Sequence, residues 1–326
     1  MTPLLQGMVT ILVGVTACVA YFWLSNWVLD RVIFPARGPN AGRNINRANL
    51  VRPWLFLFPA IFVLGLYLAY PVVGSFVRSL FDRSGTEFIG LGNYIDLFNS
   101  SGFRVALRNN ILWLLVVPAA ATAFGLLAAQ LTDRLSWGNI AKSMIFMPMA
   151  ISFVGASLIW RFVYANNFDI GLINAVRGVF GAERAIDVLQ IPFWNNFFIM
   201  FIMIWIQTGF AMVILSAALR NIPEETIEAA IMDGAGPFRL FFSVKVPQIM
   251  GTIVVVWTTI TFLVLKVFDI VYTVTGGNFG THILPSYMMN FMFRDDGRAT
   301  AVAFVIMLLV LPVMVWNIRQ ARRELR

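Results

Sequence analysis

The chain has 326 residues, 59% of them hydrophobic and 12% charged, with a mean hydropathy of +0.79. Soluble domains carry about 25% charged residues, so lipid rather than water must cover much of this surface. The net charge of +8 is read as a record of membrane topology, not of nucleic-acid binding, and the lone Cys18 and lone His282 exclude an intramolecular disulfide and any Cys- or His-cluster metal site.

Seven apolar stretches each approach the ~20 residues that a helix needs to cross ~30 Å of hydrocarbon. The first, 4–28, has no basic residue ahead of it and is followed by Arg31, Arg37, Arg43, Arg47 and Arg52. That is the reverse of the charge order of a cleavable signal, so it is expected to persist as a span. Residues 29–53 read as a basic cytoplasmic connector, which sets an N-terminal helix (1–28) apart from the rest of the chain (54–326). The later spans are expected at 54–80, 110–131, 143–163, 197–219, 252–271 and 300–318. These runs are continuous, whereas a membrane barrel shows alternating segments of ~10 residues. The expected fold is therefore all-α, a polytopic bundle of seven spans with the N-terminus outside and the C-terminus inside. Under that orientation the inner loops carry fourteen Lys or Arg and the outer loops seven, as the positive-inside rule requires.

The loop at 221–249, NIPEETIEAAIMDGAGPFRLFFSVKVPQI, is the most informative segment. Asn221 is expected to cap a helix, Pro223 to open its first turn, and Glu224 and Glu225 to favour the positive end of its dipole. Ile227, Ala230 and Ile231 share one face. Gly234, Gly236 and Pro237 end the helix, a second short apolar helix is expected at 238–244, and Pro247 breaks it. The small residues Ala229, Ala230, Gly234, Ala235 and Gly236 leave room for a partner's surface to approach closely. Read from the residues alone, such a bracket also fits an ordinary interfacial helix.

The string EAAIMDGAG from Glu228 to Gly236, with Pro247 beyond it, resembles the EAA loop of ABC importer permeases of the sugar branch. The likeness extends over about residues 50–320: Leu91, Asn93, Tyr94 and Phe98 in an LxNYxxLF pattern, Arg108-Asn109-Asn110 opening a span, GLIN at 171–174, KVFD at 266–269 and TGG at 275–277. Together these resemble the permease of a disaccharide or alpha-glucoside importer. The resemblance implies a six-helix type I core preceded by one added N-terminal span, in the bacterial inner membrane. It implies that Glu228, Ala229, Ala230, Asp233, Gly234, Ala235 and Gly236 form a coupling helix and turn seated in a nucleotide-binding subunit. The implied partners are a second homologous permease, two copies of an ATPase and a periplasmic or lipid-anchored sugar-binding protein. No GxxxxGK[ST] string occurs, so no cofactor is expected on this chain, and ATP with Mg would act in the ATPase subunits.

Substrate contacts are implied by position at Trp205, Gly209, Met212, Thr259, Leu263 and Lys266. Ionisable groups inside spans are costly and suggest function. Lys266 and Asp269 read either as a polar lining of the path or as an i,i+3 pair that neutralises itself. Trp205 and Gly209, at i and i+4, are expected to share one helical face. An ion-coupled transporter acting alone would need a mid-membrane acidic or His relay. A membrane enzyme would need clustered catalytic groups, and neither GxSxG nor HExxH is present.

Overall fold

The computed structural model describes residues 3–35, 37, 41–133 and 135–324. Among them the chain is helical almost throughout, and its β pairing is a bridge between Phe81 and Phe88. It forms two compact units, Met1–Gly74 and Ser75–Arg326.

In the first unit α1 (Pro3–Val28) runs into a π turn at Leu29–Ile33, closed by the Phe34 N–H on the Leu29 carbonyl at 2.9 Å. The next helix, α2 (Ala41–Leu64), starts well before the expected span. Arg43, Arg47 and Arg52 therefore sit on a helix, not in a coil; of the rest of the connector, residues 36 and 38–40 lie outside the described residues. Pro53 and Pro59 lie inside α2, a tolerance typical of membrane helices, where neighbours re-satisfy the freed carbonyls. α1 and α2 meet where Tyr21 donates to the Leu55 carbonyl (2.9 Å), the Phe22 and Phe56 rings stand 5.2 Å apart, and Arg52 pairs with Asp30 at 2.7 Å.

A π turn at Gly65–Ala69 and α3 (Tyr70–Arg78) follow. Then come α4 (Gly92–Asn99), α5 (Ser101–Thr132), α6 (Gly138–Phe146), α7 (Phe153–Val163), α8 (Leu172–Val179) and α9 (Trp194–Arg220). After these lie α10 (Glu224–Met232), α11 (Pro237–Gln248), α12 (Met250–Lys266), α13 (Asp269–Thr275), α14 (Leu284–Met288) and α15 (Asp296–Glu324). Five described helices are long and apolar enough to cross a membrane, or up to seven if each of two bent pairs counts as one span.

Two expected spans are corrected by breaks in the helices, the first of them at one of these bent pairs. The stretch at 143–163 is not continuous: Gly138–Ala150 and Phe153–Val163 meet at 104°. Pro148 opens a 3-10 turn, Ile151 turns extended, and the Ser152 hydroxyl restarts the helix by accepting the Gly155 N–H at 3.1 Å. The stretch at 252–271 is broken as well. α12 stops at Lys266, Val267 is extended (ψ 126°) and 3% exposed, and α13 begins afresh at Asp269. Lys266 and Asp269 are therefore not one helical turn apart.

The core of the second unit lies between α5 and α9. A Cβ on Gly125 would fall 2.4 Å from the Ala211 Cβ and 2.8 Å from the Met212 nitrogen, so the two helices touch backbone to backbone. Lipid tails are as apolar as Leu, so packing of small residues, not hydrophobic burial, holds such a seam. Trp113, Val117 and Ala121 of α5, Ile199, Met203 and Ile206 of α9, and Val256, Ile260 and Val264 of α12 share one buried cluster. Leu97, Phe103, Ala106, Leu284 and Val302 form a smaller one between α4, α5, α14 and α15.

Candidate coupling loop and substrate path

The 221–249 loop grows directly out of α9. Asn221 is the C-terminal cap of α9 and not the N-cap of α10, because Pro223 already holds the extended conformation (ψ 134°) that starts the new helix. Glu224 and Glu225 occupy the first turn of α10, where its positive end favours them. The helix ends in a Schellman turn: the Ala235 N–H reaches the Ala230 carbonyl (3.0 Å), and the Gly234 N–H reaches that of Ile231 (2.9 Å). That turn requires φ +79° at Gly234, the left-handed region that glycine enters without cost.

Glu228, Ala229, Asp233, Gly234 and Gly236 are exposed, while Ala230 and Ala235 are half-buried. Open space surrounds the Cβ positions of Gly234 and Gly236. Ile227 packs on the core, yet Ile231 is exposed, and Met232 and Phe238 are 87% and 83% exposed. The expected apolar face therefore splits, one side holding the bundle and the other open. The second helix of the bracket is longer than expected, with Pro247 accommodated just after its π stretch Leu240–Lys245 and the break falling at Ile249 instead, where the chain bends by 72°.

Beneath the loop lies a charged cluster that sequence reasoning missed. Asp133, just past α5, pairs with Lys142 of α6 and accepts from Arg220 of α9 at 2.9 Å and from the Ser216 hydroxyl at 3.1 Å. Partial burial pushes its carboxyl up, but the hydrogen bonds from Lys142, Arg220 and Ser216 outweigh it and hold the group below its ordinary 3.8.

The implied path residues separate. Gly209 and Met212 are buried, and a Cβ on Gly209 would meet the Ile145 carbonyl at 2.6 Å. Gly209 is thus a packing contact with α6, and no open face presents it together with Trp205. Trp205 is half-buried, edge-on to Trp160 at 5.6 Å. The Thr259 hydroxyl donates to the Val255 carbonyl (2.7 Å). Leu263, Lys266 and Asp269 are exposed, and no ion pair joins Lys266 to Asp269 among the described residues. The self-neutralising pair is not formed.

At the opposite end of α5 and α9, asparagines clamp loops, most of them from the recognised strings and Asn195 from outside them. Asn109 donates to the Gly280 and His282 carbonyls (2.7 and 2.9 Å), Asn110 accepts the Leu284 N–H, and Asn195 donates to the Phe279 carbonyl. Asn93 holds the Ser79 and Phe81 carbonyls, and Asn174 holds those of Ala165 and Ile186. Such buried amides supply the bonds that loop backbone would otherwise lack. The repeated appearance of Asn in these strings was the available signal.

The family described as "Binding-protein-dependent transport system inner membrane component" matches residues 121–325. The chain is 57% identical to the alpha-glucoside transport system permease protein AglF of Rhizobium meliloti, over 99% of each chain. It is 44% identical to the osmoprotective compounds uptake permease protein GgtC of Synechocystis, over 83% of this chain and 99% of that one. With the lactose transport system permease protein LacF of Rhizobium radiobacter the identity is 32%, over 80% and 90%. A crystal structure of a bacterial ABC transporter that imports the polysaccharide alginate contains a chain that superposes with a TM-score of 0.70 at 21% identity, over 86% of this chain and 98% of that one. At that identity the likeness bears on the fold. With several apolar helices, this fold and these relatives, the chain belongs to the family of inner-membrane components of binding-protein-dependent transport systems.

Proposed function

We propose that this chain forms half of the translocation path of an ATP-driven importer for an alpha-glucoside, with seven spans, its N-terminus outside and its C-terminus inside. The observation that carries the substrate class is the 57% identity to an alpha-glucoside permease across 99% of both chains. A homologous permease supplies the other half, an outer sugar-binding protein delivers the substrate, and two ATPase subunits bind ATP and Mg. The 221–249 loop faces those ATPase subunits, with Glu228, Ala229, Ala230, Asp233, Gly234, Ala235 and Gly236 at the contact. Their exposure, the left-handed turn and the open space beside Gly234 and Gly236 support this reading. Leu263, Lys266 and Asp269, exposed on the isolated chain, border the path together with Trp205 and Thr259.

The test is uptake of a labelled alpha-linked disaccharide and substrate-stimulated ATP hydrolysis by the reconstituted complex. Ala229→Arg adds a long cation at an exposed helical position without backbone strain, and it should abolish both activities together. Uptake that persists without any ATPase subunit would overturn the importer reading. Equal competition by beta-linked disaccharides would overturn the substrate class.

A further inference from the structure

The end of α5 touches both roots of the 221–249 loop. On the approach side, Asp133 accepts from Arg220 through both Nη2 (2.9 Å) and Nε (3.2 Å), and from Ser216 (3.1 Å). Lys142 pairs with Asp133 and also donates to Ser216 at 2.6 Å. Arg220 is the last residue of α9, and α10 begins at Glu224. On the return side, Lys245 Nζ stands 3.4 Å from Gln130 Oε1, one turn back on α5. Between these two ties the loop projects outward, with most of residues 223–239 exposed.

A single exposed ion pair contributes about 0–1 kcal/mol. Asp133 differs from that case because one partly sheltered carboxylate takes donors from α6 and from two positions on α9. Its side chain is 21% exposed and that of Lys142 15%. Ile222 and Ile227 also anchor the loop through apolar packing, but such contacts are non-directional and allow sliding. Directional bonds at a shared carboxylate fix the register of α9 against α5.

We propose that Asp133 is a positioning residue that fastens the approach root of the coupling loop, the end of α9, to α5. A displacement of α10 that reaches Arg220 is then delivered to α5 and α9 together and is not absorbed by α9 sliding against α5. α5 and α9 are in backbone contact at Gly125 and share their core with α12, so the motion reaches the helices that carry Trp205, Leu263 and Lys266. The inference rests on the reading of 221–249 as the ATPase-facing loop.

The experiment uses the complete reconstituted complex and measures molecules of an alpha-linked disaccharide carried per ATP hydrolysed, after native complex has shown ATP-dependent uptake. If the native complex fails that control, the importer reading falls and the positioning role with it. Asp133→Asn should lower the ratio roughly tenfold, the scale of an ordinary coupling free energy, and Asp133→Glu should restore most of it. A native ratio in Asp133→Asn overturns the proposal. If Asp133→Asn does not assemble, the deciding variant is Asp133→Cys/Arg220→Cys on a Cys18→Ser background, joined by a short bifunctional thiol reagent. If Asp133 acts only as a fixed tie, the joined complex transports at the native ratio while the unjoined one is uncoupled. Loss of transport on joining would show that the tie must open during the cycle, and would overturn the proposal.

Discussion

Gly125 shows how one missing side chain sets the spacing of the bundle. Its Cβ position overlaps Ala211 and the Met212 backbone nitrogen, and backbone cannot step aside as a flexible side chain would. Gly125→Val is expected to pry α5 from α9 and cost about 1–3 kcal/mol, the range for overpacking a tight contact, read as a lower thermal midpoint in detergent. Asn109 acts by a different route, through polar satisfaction of two loop carbonyls. Asn109→Ala leaves both carbonyls without that donor and should cost about 1 kcal/mol, the scale of an ordinary hydrogen bond. Hydrogen exchange should quicken around 278–284 while the amides of α9 beyond its first turn keep their protection; uniform exchange across the loop would contradict the clamp.

At the level of elements, two of the expected spans are broken helices, and each break has a local cause. The 104° corner is built from Pro148 and the Ser152 cap; the α12–α13 break follows the burial of Val267. Asp133 joins three elements, α5, α6 and α9, and its titration gives them a pH dependence. A carboxyl held below its ordinary 3.8 in the fold binds fewer protons than it does in the unfolded chain, so stability rises with pH between the two values. The contribution is whole above the ordinary value and is lost as pH falls through the lowered one. Thermal midpoints of detergent-solubilised protein from neutral pH into acid should fall less steeply for Asp133→Asn than for native protein, and parallel curves would refute the assignment.

At the scale of the whole molecule, the isolated chain leaves Val255 and Leu263 of α12 exposed beside Lys266. If the partner permease covers that face, Leu263→Cys on a Cys18→Ser background should cross-link to a cysteine on the partner and give a band at their summed mass. A Cys at Met212, buried at 0%, should give none. Much of the molecule was legible beforehand. Continuous apolar runs imposed helices because hydrocarbon leaves backbone groups no other partner, and the Glu228–Gly236 string with its glycine-ended helix marked the bracket. The interior of the candidate path was not legible. Gly209 and Met212 sit on the same helix as Trp205, but Ile145 and Phe146, more than fifty residues earlier, cover Gly209. Nor does any local pattern bring Asp133 to Arg220, 87 positions apart. Sequence alone determined which segments are apolar enough to be helical in lipid and that Gly234 ends α10, since hydropathy and backbone sterics act within a few residues. Tertiary structure alone decided which faces are covered and which charges meet, because packing and ion pairing act between segments that only the fold brings together.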